Sequence, residues 1–223
     1  MGRKGRITSI EQGQINAEGI VSKVIRGNFA GGGEAAGIYQ IKITLRGSKP
    51  PIWRRFLSPG DVKLGMLHDI IQDVMGWTDS HLHLFRTKDG RQYGIRDPEF
   101  GLDEDLVDEH KVTFSSIAGS KGVCVRYEYD FGDGWEHELK VENIVESDER
   151  YKGHPVCLEG ERACPPEDCG GIGRYYNLLE IVRDPKHEEY QEMSEWIGET
   201  FDADAFDINE INDLLVRYRS KKK

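Results

Sequence analysis

The sequence predicts an α+β domain: a mainly antiparallel sheet with one packed helix after the second strand, then a C-terminal group of helices. Three observations carry that expectation. Strict alternation of apolar and polar residues begins at Ile38. Two longer runs, 123–131 and 135–145, are separated only by Gly132-Asp133-Gly134. Apart from one early helix, the helical periodicities gather after residue 174. Strands first and helices last is the order of an α+β fold rather than of repeated βαβ units.

Taken in order, Tyr39, Ile41, Ile43 and Leu45 alternate with Gln40, Lys42 and Thr44, the pattern of a half-buried strand. Lys49-Pro50-Pro51 interrupts it, and 52–57 reads as a second extended segment. Leu64, Leu67, Ile71, Val74 and Met75 fall at helical spacing, with Gly76 placed to stop the helix. A third strand over 81–86 leads into an irregular acidic excursion to about His110. For the hairpin, a three-residue loop with Gly134 left-handed would pair Phe131 with Trp135, Tyr129 with His137 and Tyr127 with Leu139. That register keeps one apolar face and leaves Glu128, Asp130, Glu136 and Glu138 on the other. Residues 153–173 read as a loop with three of the four cysteines. Helices are expected over 175–183, over 185–197 with Asp184 as cap and Pro185 at the first position, and from Asp207-Ile-Asn-Glu210 onward.

The 223 residues divide at the glycine cluster 31–37. Residues 1–36 lack a sustained period and are expected to be a flexible N-terminal extension, leaving 37–220 as one domain. Thirty Lys and Arg face forty Asp and Glu, a net charge of -10. Within 142–213 there are six basic residues against twenty acidic ones. That balance argues against nucleic acid as the main partner, because non-specific binding rests on phosphate neutralisation by basic side chains. No apolar run approaches the roughly 18 residues of a membrane helix, and the basic start has no apolar stretch after it. The expectation is a soluble, cytoplasmic protein.

The cysteine loop is the first candidate site. Cys157, Cys164 and Cys169 follow His154 in a C-x6-C-x4-C spacing rich in proline and glycine. Thiolates plus one imidazole suit tetrahedral zinc, so these four residues are expected zinc ligands, with His137 an alternative fourth. Unligated thiols or a disulfide are the competing explanation. His81 and His83 lie on one side of a strand, as any i, i+2 pair does, and His68 on the preceding helix could approach them. The carboxylates Glu128, Asp130, Glu136 and Glu138, with Asp133 at the turn, could clamp a hard cation such as magnesium, or could be a solvated face. Gly170-Gly171-Ile172-Gly173 precedes a helix but has neither a P-loop lysine nor a Rossmann context. No Gly-x-Ser-x-Gly elbow or His-Glu-x-x-His pair is present.

Five stretches taken together resemble the Ri-plasmid open-reading-frame-three-like family. They are Ile52-Trp-Arg-Arg-Phe56, Leu67-His-Asp-Ile-Ile-Gln72 with Gly76-Trp77, His81-Leu-His-Leu-Phe85, Tyr127-Glu-Tyr-Asp-Phe-Gly-Asp-Gly-Trp-Glu-His137 and Ala163-Cys-Pro-Pro-Glu-Asp-Cys-Gly-Gly171. The resemblance runs from about Tyr39 to about Tyr218 and implies a compact α+β fold without implying a mechanism. A resolvase label borne by some members of that family gains no support from this acidic chain. Two functions remain open. One is a binding or adaptor module for a protein or small ligand, stapled by zinc in the cysteine loop. The other is a metal-assisted hydrolase with His81, His83, Asp130, Asp133 and His137 lining a cleft.

Overall fold

The structure is a computed structural model, and it describes residues 37–96, 105–198 and 201–219. The expected extension 1–36 lies outside the described residues. Eight strands form one sheet: β1 (Ile38–Leu45), β2 (Trp53–Pro59), β3 (His83–Arg86), β4 (Gln92–Gly94), β5 (Val107–Asp108), β6 (Cys124–Tyr129), β7 (Trp135–Val145) and β8 (Val156–Glu161). Their order across the sheet is β5-β4-β3-β6-β7-β1-β2-β8. The pairs are antiparallel except for β4 with β5. Among the described residues, five α-helices complete the α+β fold: α1 (Leu64–Met75), α2 (Phe114–Ile117), α3 (Gly171–Ile181), α4 (Tyr190–Ile197) and α5 (Ile208–Leu215).

One face of the sheet is apolar and covered. Tyr39, Ile41, Ile43 and Leu45 of β1 and Trp135, Leu139 and Val141 of β7 are buried with Leu64, Leu67, Ile71 and Val74 of α1. Each such side chain contributes roughly 1.5–3 kcal/mol on leaving water, which is why the stripe fixes the seat of α1. The helix ends where expected: Gly76 takes φ 98°, and its amide and that of Trp77 both donate to the Gln72 carbonyl. The turn after it delivers Trp77 to Ser80, the lead-in to β3. The opposite face is polar, with Arg55 bonded to Glu142 and Glu159, Arg46 bonded to Glu136, and Lys42 4.1 Å over the Trp53 ring. A single covered face is the usual state of an antiparallel sheet. Among the described residues, no helix is long and apolar enough to cross a membrane.

The β6–β7 register corrects the expectation. Tyr129 pairs with Trp135 and Tyr127 with His137, two residues away from the expected pairing. The loop therefore has five residues, 130–134. Gly134 is left-handed as expected, at φ 67°, but Asp130 is left-handed too, at φ 54°. Its Oδ1 accepts from the amides of Gly132 and Asp133, and its carbonyl accepts from the Gly134 amide. An Asp that satisfies its own turn makes the longer loop stable. A shift of two preserves parity, so the apolar face survives and Phe131 moves into the turn. The cost to the prediction is the acidic face, because Asp130 is buried at 6% exposure rather than beside Glu128.

Two further corrections concern the C-terminal half. The expected loop 153–173 contains β8, an edge strand paired with β2. Pro185 does not open a helix: Asp184 accepts from the Lys186 amide in a local turn, and α4 starts at Tyr190. His187 takes the Glu189 amide on Nδ1, a side-chain to backbone bond that competes with helix propagation. The cap of α5 is as expected, with Asp207 accepting from Asn209 and Glu210.

Candidate metal centre

Three separate segments converge beside the β6–β7 turn. The lead-in to β3 brings His81, the turn brings Asp130, and the cysteine-rich loop brings Asp168. That loop is held by several hydrogen bonds. Trp77 Nε1 donates to the Pro165 carbonyl at 3.1 Å, and the Gly170 amide donates to Asp133 Oδ2 at 2.9 Å. Glu167 accepts from the Thr78 amide and hydroxyl and from the Tyr129 hydroxyl. Burial pushes the Glu167 carboxyl up, but the bonds from Thr78 and Tyr129 outweigh it and hold it below the usual carboxylate range. The contact is close as well as polar. A Cβ on Gly171, where φ is 80°, would lie 2.4 Å from the Asp133 carbonyl oxygen.

His81 Nε2 is shielded from solvent and has no hydrogen-bond partner. It stands 3.3 Å from Asp168 Oδ1 and 3.7 Å from Asp130 Oδ2. Ligands about 2.1 Å from a tetrahedral ion lie about 3.4 Å apart, so the spacing is that of donors around a cation. Asp130 Oδ1 serves the turn amides, which leaves Oδ2 facing His81. Asp168 is 73% exposed and opens the group to water.

A second group lies deeper. His68 of α1 and His83 of β3 stack with ring centroids 3.4 Å apart and planes 4° from parallel. His68 Nε2 donates to Asp79 Oδ1 at 2.7 Å, and its Nδ1 accepts from the Tyr127 hydroxyl at 2.8 Å. The same hydroxyl accepts from Gln72 Nε2 at 3.0 Å. His83 Nε2 donates to the buried Glu109 at 2.7 Å. Burial, reinforced by His83, lowers the His68 pKa to about 4, so its ring is neutral at pH 7. Both Nε2 atoms already have short hydrogen bonds, and the network is satisfied without an ion.

These two groups, His68 with Asp79 and His83, and His81 with Asp130 and Asp168, are the sets of three or more His, Cys, Asp or Glu ligand atoms found within 4.8 Å of one another among the described residues. The remaining expected residues belong to neither group. His137 is fully buried, donates from Nδ1 to the Tyr127 carbonyl at 3.3 Å and meets Trp77 edge-on. Asp133 anchors the loop through Gly170. Cys157 sits in β8, its amide and carbonyl both bonded to the Asn212 side chain. His154 is buried with Nδ1 donating to the Pro155 carbonyl at 2.9 Å and Nε2 accepting from Arg219 at 3.4 Å. Burial raises all three thiols, Cys157 to about 11, Cys169 to about 12 and Cys164 higher still, with Arg54 drawing Cys157 and Cys164 partly back. Protonated thiols are poor nucleophiles.

The sequence reading missed Asp168, Asp79 and Glu109. Asp168 had a signal, since it lies inside the quoted Cys-Pro-Pro-Glu-Asp-Cys stretch. Asp79 precedes His81 by two residues but belongs to a turn with φ 57°. Glu109 has no local signal at all: its role follows from the packing of residues 109–111 against α1.

Comparison with known proteins places this geometry in a family. The chain is 36% identical over 194 residues to the uncharacterised protein y4hQ of Sinorhizobium fredii, covering 84% of this chain and 97% of that one. A crystal structure of a protein of unknown function from Methanosarcina mazei Go1, MM3350, superposes with a TM-score of 0.69 at 35% identity. It covers 78% of this chain and 96% of that chain. The plasmid pRiA4b ORF-3-like family profile matches residues 37–210, which takes in β1 through the start of α5 and both histidine groups. The chain belongs to the plasmid pRiA4b ORF-3-like protein family.

Proposed function

We propose that the protein is a metal-assisted hydrolase in which His81, Asp130 and Asp168 hold one divalent cation. The supporting observation is His81 Nε2, shielded and without a hydrogen-bond partner, between two carboxylate oxygens at ligand spacing. A shielded imidazole nitrogen without a hydrogen bond costs roughly 1–3 kcal/mol, and a cation between it and the two carboxylates that it faces would remove that cost. One imidazole and two carboxylates suit manganese, iron(II) or zinc. When bound, such an ion supplies a water of lowered pKa, and the exposed side at Asp168 leaves positions for it. The protein's own part is positional. The self-capped turn fixes Asp130, and the hydrogen bonds of Glu167, Pro165 and Gly170 fix the loop that carries Asp168. A reducing compartment such as the cytoplasm belongs to the same reading, since three cysteines in one loop suit ligand or thiol chemistry there.

A second reading, a binding module for a protein or small ligand stapled by zinc, draws on the electrostatic proximity of Cys164 and Cys169. Elemental analysis of protein purified without chelators separates the two. The hydrolase reading expects about one equivalent of metal, lost in His81→Ala and kept in Cys164→Ser. The reverse pattern supports the zinc staple and its four ligands Cys157, Cys164, Cys169 and His154. Less than a tenth of an equivalent in the wild type, unchanged after dialysis against manganese or zinc, defeats both.

A further inference from the structure

Beside Asp168 the surface folds into a cavity of about 510 Å³ between the cysteine-rich loop, α3 and α4. Its size is that of a small-ligand site. Leu178, Ile181, Met193 and Trp196 form an apolar wall, and Arg174 lines the same space. Trp196 is 48% exposed, a large ring left at the surface where burial would have stabilised the fold. The Arg174 side chain has no hydrogen bond or ion pair to another described residue. Its stem lies against Gly170: a Cβ there would meet Arg174 Cδ at 2.2 Å. The bare glycine therefore lets the arginine lie back along the loop, beside the residues that carry Asp168. Asp168 and Glu189 are the acidic groups of the wall, and Arg174 alone does not cancel them.

We propose that this cavity binds a phosphomonoester with a flat, apolar body, its ring against Trp196 and Met193 and its phosphoryl group between Arg174 and the cation site. The inference rests on the metal-site reading and extends it to a substrate class. Charge complementarity selects the phosphoryl group. A guanidinium fork matches its oxygens, and a divalent ion beside Asp168 turns a net acidic wall into one that attracts an anion. A flat ring stacks on an exposed indole without needing a specific edge pattern. In hydrolysis the water oxygen bonds to phosphorus and the ester P–O bond breaks. One water proton passes to the leaving oxygen, giving the alcohol and inorganic phosphate.

The test uses the full chain and two titrations followed by calorimetry. Manganese alone tests the cation site. Phenyl phosphate is then titrated into the manganese-loaded protein, with methyl phosphate in parallel. The expected result is phenyl phosphate binding that weakens at least tenfold in Arg174→Ala, recovers in part in Arg174→Lys, and weakens at least tenfold without manganese. Trp196→Ala should weaken phenyl phosphate several-fold and leave methyl phosphate unchanged. Both side chains are exposed, and an unchanged thermal transition will show that the variants fold. Manganese binding with no phenyl phosphate binding below 10 mM, or equal binding by Arg174→Ala, overturns the phosphomonoester site and leaves the metal reading standing. Absence of manganese binding overturns the metal reading and this inference with it.

Discussion

Acidification should destabilise the fold well above the ordinary carboxylate range, because two histidines are buried in neutral form. Burial lowers His137 to about 3, and burial with the neighbouring His83 lowers His68 to about 4. In the unfolded chain both titrate near 6.5. The folded values lie below the unfolded ones, so the unfolded state takes up protons first as pH falls. Their stabilisation is present above about pH 6.5 and is lost progressively as pH falls, down to about pH 4 for His68 and about pH 3 for His137. Each group costs about 1.4 kcal/mol per pH unit in that window, or about 2.7 kcal/mol per unit together. Between pH 6.5 and 5 the loss should reach about 3 kcal/mol, a large part of a typical domain's stability. Asp69, which burial holds above the usual range, acts in the opposite direction only near the carboxylate pKa. Urea unfolding followed by far-UV circular dichroism at several pH values, with EDTA present, gives the slope directly. His137→Leu fills a similar volume and removes one titrating group, so its slope should be about half that of the wild type. A wild-type slope under about 0.5 kcal/mol per unit between pH 6 and 5, or an unchanged slope in His137→Leu, would refute the reasoning.

Other substitutions probe the supports of the site. Gly171→Ala places a methyl group against the Asp133 carbonyl at a positive φ, and it should cost about 2–4 kcal/mol in chemical unfolding; a loss below about 0.5 kcal/mol would show that the loop does not dock as described. Tyr127→Phe removes the hydroxyl shared by His68 and Gln72 and should cost about 1–3 kcal/mol, with the His68 imidazole resonances shifted in NMR spectra. Asp207→Ala deletes the cap of α5 and should cost about 1 kcal/mol without altering metal content.

The fold was legible where periodicity is strong and local. The stripe of α1, the Gly76 stop, the alternation of β1 and β7 and the Asp207 cap all depend on residues close in sequence. The hairpin register was not legible, because a three-residue and a five-residue loop share the same parity and differ only in whether Asp130 caps its own turn. β8 was hidden because Val156–Glu161 mixes polar, glycine and cysteine residues at an edge, where one partner strand suffices. Of the candidate site, His81 and Asp130 could be named from the sequence, whereas Asp168 lay inside a matching stretch with nothing local to set it apart. Its role depends on the loop's return to the hairpin, a long-range contact fixed by Trp77, Thr78, Tyr129 and Asp133. The histidines also show the limit of i, i+2 reasoning. β3 begins only at His83, so His81 leaves the strand and joins a different group.

The most direct test of the metal centre is an anomalous difference map from a crystal of the protein grown with manganese chloride. The account predicts one strong peak about 2.2 Å from His81 Nε2, Asp130 Oδ2 and Asp168 Oδ1, absent from crystals of His81→Ala. A map with no peak there, or with its strong peak at the cysteines alone, would contradict it.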